Sequence, residues 1–393
     1  MSKKIKLGII GIGNMGSAHA RNIVGGECPD FELVAVADIK PQRLEWAKSE
    51  LSPDIHCFET AEEMLDSGLI NACMVCVPHY DHPKYAIECM RRGIHVMVEK
   101  PAGVYTKQVR EMNEEAKKHP DVVFGMMFNQ RTNCIYRKMR ELVQSGVYGN
   151  IRRTNWIITN WYRPQAYYDS GDWRATWSGE GGGVLLNQAP HNLDIWQWIC
   201  GKPSAVTAFC NVGKFHNIEV EDEATIYAEY ENGATGVFIT STGDCPGTNR
   251  LEITGTRGKL VLENGILKLW KLNEDERDIC KNATEGFVSP ETEYSEFSAE
   301  REEAHAGILK NFAGAILHGE ELLSPGYDGI NELMISNAAY LSQWTGNSRI
   351  PLPFDTAEFD RLLKEKQKSS EIKEKTVKNS TDKSCGERWQ INW

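Results

Sequence analysis

One hexapeptide constrains this chain more than any other feature. Ile5–Ile10 is a short apolar run that ends in Gly11-Ile12-Gly13-Asn14-Met15-Gly16, and a helical pattern starts at Ser17-Ala18-His19-Ala20. Alone, glycines at this spacing are weak evidence, because the chain contains 34 of them. Here the context fits: a strand before, a helix after, then a second apolar strand, Leu33–Ala37, ending in Asp38. Such a unit makes a dinucleotide site. Gly11 turns tightly, Gly13 lets the backbone approach a pyrophosphate, and Gly16 lets the helix lie close to the sheet. The free N–H groups of Asn14 and Met15 at the helix start then face the phosphates. A carboxylate at Asp38 accepts from both ribose hydroxyls and repels a 2′-phosphate, which favours NAD over NADP. Lys40 and Arg43 nearby weigh the other way. A flavodoxin-like turn without a dinucleotide is the competing reading.

The alternation continues. Helices are predicted over 41–51, 61–67 and 85–92, and strands over 70–77 and 95–98, a pattern that implies a parallel, doubly wound sheet. Pro78, His79 and His82 follow the strand that ends at Val77, where a cofactor would pass, so each histidine is read either as a ribose contact or as part of a solvated turn. Cys73 and Cys76 form a CxxC, but an offset of three within a strand points them to opposite faces, so no metal site is expected. Glu99-Lys100-Pro101 follows the next strand. Open sheets of this kind bind ligands at their carboxyl edge, and partial burial there would lower the lysine pKa and fit it for proton transfer.

Beyond Phe128 the texture becomes β-rich. Strands are predicted over 152–159, 205–212, 223–230, 235–242, 250–254, 259–263 and 266–272, with hairpin turns at Asn232-Gly233, Arg257-Gly258 and Asn264-Gly265. Short turns imply a largely antiparallel sheet with one face covered. Between the first two strands, Gly179–Gly183 reads as flexible, and Pro190 and Gly201 frame a helix. His191 is then near a helix N-terminus, where the dipole keeps an imidazole neutral. Six of the eleven tryptophans fall between Trp156 and Trp198.

The glycine turn, Glu99-Lys100-Pro101, and Gly181-Gly182-Gly183 followed by His191 occur in an order that resembles the Gfo/Idh/MocA family of sugar and polyol dehydrogenases, over about residues 5–355. The resemblance implies a dinucleotide-binding domain (1–128), with Glu99 and Asn129 joining the cofactor residues. It also implies a substrate and oligomerisation domain (129–360), and a charged tail (361–393) follows. It points to hydride transfer between a secondary carbinol and the nicotinamide, with Lys100 polarising the reacting oxygen and His191 exchanging its proton. The family usually carries aspartate where Asn187 stands and glycine where Ala189 stands. Asn187 can orient a hydroxyl but cannot take a proton, so base duty falls to His191 or Lys100. Asp194 reads as structural, and His305 as a helix histidine rather than a cleft residue.

Arg163, Tyr168 and Trp173 crowd the loop before the glycines, as sugar contacts or as core and interface residues. Several family members oxidise C3 of a pyranose to a 3-keto sugar, and the segment from Asn187 to Asn192 is similar to members acting on glycosides. Competing readings are an NAD-dependent redox-elimination glycosidase and a non-catalytic sugar sensor. Subunit association through the second sheet, as a dimer, tetramer or hexamer, is implied.

Composition excludes more than it assigns. Lys plus Arg is 44 and Asp plus Glu 55, a net charge of −11, which disfavours nucleic-acid and anionic-membrane partners. No run approaches the roughly 18 apolar residues of a membrane span. The start, MSKKIKLGIIGIG, reads as a first strand rather than a signal peptide. Eleven scattered cysteines fit a reducing cytoplasm.

Overall fold

The computed structural model describes residues 4–299 and 303–370. Two sheets organise it. The first is parallel and six-stranded, in the order β3-β2-β1-β4-β5-β6. Its strands are β1 (Ile5–Ile10), β2 (Phe31–Ala37), β3 (His56–Phe58), β4 (Ala72–Val75), β5 (His95–Val98) and β6 (Phe124–Met126). They alternate with α1 (Asn14–Val24), α2 (Pro41–Glu50), α3 (Ala61–Asp66), α4 (His82–Arg91) and α5 (Thr106–Lys118). β1 and β4 are buried on both faces apart from Lys6, as crossover helices on both sides require. The order reverses beside β1, so the carboxyl ends of β1 and β4 open a crevice.

After α6 (Cys134–Gln144), β7 (Ile151–Ile158), the single turn α7 (Gln165–Tyr168) and α8 (Pro190–Cys200), the chain builds its second sheet. It adds β8 (Ala205–Val212), β9 (Glu221–Glu229), β10 (Thr235–Ser241), β11 (Asn249–Gly255), β12 (Gly258–Glu263) and β13 (Ile266–Leu272). The helix α9 (Glu276–Asn282), β14 (Thr292–Phe297), α10 (Ala304–His318), α11 (Gly329–Trp344), β15 (Ile350–Pro351) and α12 (Thr356–Lys368) complete the described chain. The sheet runs β14-β13-β12-β11-β7-β10-β9-β8-β15, antiparallel except where β10 pairs with β7. α8 and α11 cover one face. The other exposes Ile157, Phe209, Tyr227 and Tyr294.

Two segments depart from the sequence reading. α10 lies beyond the predicted nucleotide-binding domain, yet Ile308, Leu309, Phe312 and Ala313 join the core formed by Ile5, Leu7 and Phe31. The chain therefore returns to the first sheet, and Ser324 accepts a hydrogen bond from the Met126 amide (2.9 Å). The predicted tail boundary at 361 falls inside α12. Phe359 and Leu363, one turn apart, are both fully buried, a narrow apolar stripe on an otherwise charged helix. The remainder of that tail, 371–393, lies outside the described residues.

Candidate active site

The glycine turn is built as its spacing implies. Gly11 has φ +89°, and a Cβ there would lie 2.6 Å from the Cys76 carbonyl oxygen. A Cβ on Gly16 would lie 1.9 Å from the Gly11 oxygen, so only glycine lets α1 start this close. At Gly13 an added Cβ meets nothing within 4 Å: the backbone there faces open space. The N-terminus of α1 has no side-chain cap, leaving the amides of Asn14 and Met15 for an anion. Asp38 ends β2 with one oxygen accepting from the Ile12 amide and the other from the Lys40 amide, each at 2.8 Å. Each carboxylate oxygen keeps a second lone pair for a ribose hydroxyl. Deeper in, Asn129 Oδ1 is buried without a hydrogen bond, an acceptor that a cofactor amide would satisfy. These features fit a dinucleotide. Asp38→Ala is expected to raise the Kd for NAD about 10- to 100-fold, the worth of hydrogen bonds to a charged group, and to leave NADP binding no weaker. Titration with each cofactor checks it.

The loop after β4 carries Pro78, His79 and His82. Pro78 is exposed, and His79 is buried with Nδ1 3.1 Å from the Glu180 carbonyl oxygen. Burial, then the neighbouring His82 and Lys100, push the His79 pKa well down. His82 does not fit the cofactor role expected of it. Its two ring nitrogens lie 2.6 Å from Pro101 O and 2.8 Å from Val77 O, so the ring ties two main-chain segments together and offers no nitrogen to the crevice.

The turn after β5 carries the candidate catalytic lysine. Lys100 Nζ donates to the main-chain oxygen of Asn187 at 2.7 Å. Burial lowers its pKa, against the opposing charges of Glu99, Glu180 and Glu332. Glu99 is buried and faces inward. His19 Nε2 lies 2.6 Å from its Oε1, and Oε2 accepts from the Lys100 amide. Burial alone would raise this carboxyl, but His19, His305 and Lys100 hold it at about 2. Glu99 thus fixes the turn that presents Lys100. The His19 and His305 rings meet edge-on at 5.3 Å, which places His305 in this buried cluster; His19 was not anticipated.

His191 is the second residue of α8 and is buried. Burial first, and the charge of Lys100 second, keep it neutral. The glycine run before it is packed rather than flexible: a Cβ on Gly183 would lie 1.9 Å from Glu221 O. Glu221 clamps that turn by accepting from the amides of Gly183 and Leu185 and from Tyr340 Oη. α8 is anchored by Asp194, which holds Arg131 through both oxygens.

Asn187 is placed differently from the expected role. Its Nδ2 donates to Glu180, and its Oδ1 accepts from Tyr167 Oη (3.3 Å) and Gln188. The side chain is therefore engaged within a network, and its main-chain oxygen serves Lys100. Glu180, which sequence reasoning missed, is the hub. It is buried, its pKa raised by desolvation, and it accepts from the Ala175 amide (2.6 Å) and sits 3.8 Å from Arg174. An acidic residue wedged inside a glycine run was the available signal.

Of the proposed sugar contacts, Tyr168 is buried with its hydroxyl on Thr242 (2.7 Å), so it is a core residue. Arg163 is half-buried, donates to the carbonyls of Trp161 and Tyr162, and lies 5.1 Å from the Tyr167 ring. Trp173 is half-buried, edge-on to His79 at 5.9 Å. The tryptophan cluster thus divides. Trp156, Trp161, Trp177 and Trp196 are buried, Trp198 lies against Arg131 and Arg140, and Trp173 stands beside the crevice.

Comparisons with known proteins agree with this geometry. Residues 5–126 match the model for the oxidoreductase family with an NAD-binding Rossmann fold, and 136–261 match the Gfo/Idh/MocA C-terminal domain. The chain belongs to the Gfo/Idh/MocA oxidoreductases. It is 25% identical over 344 residues to a myo-inositol 2-dehydrogenase of Thermotoga maritima, covering 85% of this chain and 95% of that one. It is 27% identical over 233 residues to the D-glucoside 3-dehydrogenase of Escherichia coli, covering 58% and 63%. Among solved structures, the WlbA dehydrogenase of Bordetella pertussis, in complex with NADH and UDP-GlcNAcA, superposes with a TM-score of 0.76 at 25% identity, covering 90% of this chain and 99% of that one. As a Gfo/Idh/MocA oxidoreductase, this protein uses NAD, and residues 5–126 form its NAD-binding domain.

Proposed function

We propose that this oxidoreductase removes hydride from a secondary carbinol of a sugar or glycoside, C3 of a pyranose, giving the 3-keto sugar. The observation that carries this reading is that Lys100, at the carboxyl end of β5, reaches the Asn187 carbonyl in the turn leading into α8, the helix that bears His191, and its charge helps hold His191 neutral. When bound, NAD accepts the hydride. Lys100 hydrogen-bonds the reacting oxygen, and neutral His191 takes its proton, or returns it in the reverse direction. Positioning supplies much of the acceleration: Glu99 fixes the Lys100 amide, and Glu180 and Glu221 hold the segment that leads into α8.

Sugar as substrate is supported by the names of the inositol and glucoside dehydrogenases and by the sugar nucleotide in the WlbA complex. Trp173 and Arg163 supply an aromatic face and donors suited to a pyranose. The test is to incubate the protein with NAD and a panel of pyranosides and polyols. NADH absorbance should rise, with the product ketone at C3. A ketone elsewhere in the ring sinks the C3 assignment, and no NADH from any member sinks the dehydrogenase reading. The exposed sheet face bearing Phe209, Tyr227 and Tyr294 supports association of identical subunits, and sedimentation should give a multiple of the 44.3 kDa chain mass.

A further inference from the structure

The end of the described chain touches the substrate loop. α12 is pinned by Phe359, which stacks on Trp344 at 5.5 Å, and Trp344 in turn packs at 5.5 Å against Trp177. Trp177 belongs to the 173–183 segment that also carries Trp173, Arg174 and Glu180. Polar contacts repeat the link. Gln367 Nε2 donates to Tyr80 Oη (2.7 Å), and Tyr80 Oη donates to the Trp177 carbonyl (2.6 Å). Tyr80 lies in the loop after β4, beside His79. Two residues past α12, Ser370 Oγ accepts from the Ser178 amide (3.0 Å) and donates to Glu219 (2.7 Å).

We propose that Gln367 and Ser370 are positioning residues: the end of α12 braces the 173–183 segment against the cofactor-side loop, and so sets the distance between Trp173, Arg174 and the nicotinamide end of the crevice. This rests on the dehydrogenase reading above. The geometry supports it on three counts. An irregular segment with four glycines has no helix or strand of its own to stiffen it and borrows rigidity from its neighbours. The neighbours here are one aromatic stack and two hydrogen-bonded junctions, all converging on Trp177 and Ser178. Finally, Tyr80 Oη both accepts from Gln367 and donates to Trp177, so one hydroxyl joins the chain end, the loop beside the cofactor and the loop beside the substrate.

The brace acts on binding geometry and not on proton transfer, which separates it from Lys100 and His191. Gln367→Ala and Ser370→Ala should each raise the pyranoside KM about tenfold, lower kcat less than threefold, and leave the Kd for NAD unchanged. Tyr105→Phe removes only the outer hydrogen bond to Gln367 Oε1 and should change KM less than twofold. Hydrogen exchange on the protein without ligands should quicken at least tenfold across 173–183 in the first two variants, with α1 and α8 unaffected. Unchanged exchange in both variants overturns the proposal, and so does quickened exchange with an unchanged KM. If the wild-type protein oxidises no sugar, the dehydrogenase reading fails while the exchange result still decides whether the brace exists.

Discussion

Lys100→Met should lower kcat/KM for sugar oxidation by about 10³-fold, within the 10²–10⁴ range of positioned proton-transfer groups. Methionine keeps the unbranched stem and removes the ammonium, so the loss reports the charge and the proton and not the packing. The Asn187 carbonyl loses its donor (2.7 Å), but Asn187 is only partly buried, so water can replace the lysine. A drop in kcat with little change in the Kd for NAD is therefore expected. The pH dependence carries a sign. Burial lowers the Lys100 pKa, so its neutral amine is populated at a lower pH than that of an exposed lysine. His191 is the proton acceptor and the Lys100 ammonium polarises the reacting oxygen, so kcat/KM should be highest below this lowered ionisation and fall as pH rises through it. In Lys100→Met that limb should vanish. His191→Asn should cost a comparable factor but leave the limb in place, because His191 is already neutral across the range. Stopped-flow NADH formation between pH 6 and 10 (a range of ordinary buffers) separates the two residues. Full activity in either variant removes that residue from the chemistry.

Much of this site was legible because its signals are local. The glycine turn, the strand that ends at Asp38, and a histidine just after Pro190 are each set by a few neighbouring residues. The structure places the glycine turn, the end of β2 and the start of α8 where those residues put them. The rest depends on contacts between distant segments. His19 meets Glu99 across 80 residues, and Lys100 meets Asn187 across 87. No periodicity announces either. Glu180 was passed over because glycine runs read as slack chain. In fact the carbonyl of Glu221 lies against Gly183 and leaves no room for a side chain. Tyr168 and Tyr167 are adjacent on one turn, and only packing decides that the first faces Thr242 and the second Asn187 and Arg174. The expected tail boundary at 361 fell between Phe359 and Leu363, the two buried apolar residues of α12, since a stripe of two leaves almost no mark on composition. Sequence reading thus favoured the groups proposed to make the chemistry, and missed groups that hold them in place.

The largest stability effect should come from Arg131, which sequence patterns did not single out. Its guanidinium is 1% exposed and makes a two-pronged pair with Asp194, with Nε on Oδ2 (2.8 Å) and Nη2 on Oδ1 (2.6 Å). Nη1 donates to Asp328 (2.7 Å) and to the Leu323 carbonyl (3.1 Å). One side chain thereby joins the end of the first sheet to α8 and to the start of α11. Burial alone would favour the neutral guanidine; Asp194 and Asp328 keep it charged. Removing one partner of a buried pair leaves the other charge without compensation, at a cost of about 3–5 kcal/mol. Arg131→Met should therefore lower the unfolding free energy by that amount in urea, with its effect concentrated on Asp194, which is fully buried. Asp328 is partly exposed and can turn to water. The pairing argument makes a sharper forecast for the double variant. Arg131→Met with Asp194→Leu removes both charges, and should be more stable than Arg131→Met alone. If the double variant is worse by the sum of two independent losses, the pair is not coupled, and Arg131 stabilises through Asp328, Leu323 and the Phe128 and Trp198 rings instead. Activity gives an independent reading. His191 lies one turn from Asp194 on α8, so a loosened anchor should lower kcat in Arg131→Met even under conditions where the protein remains folded.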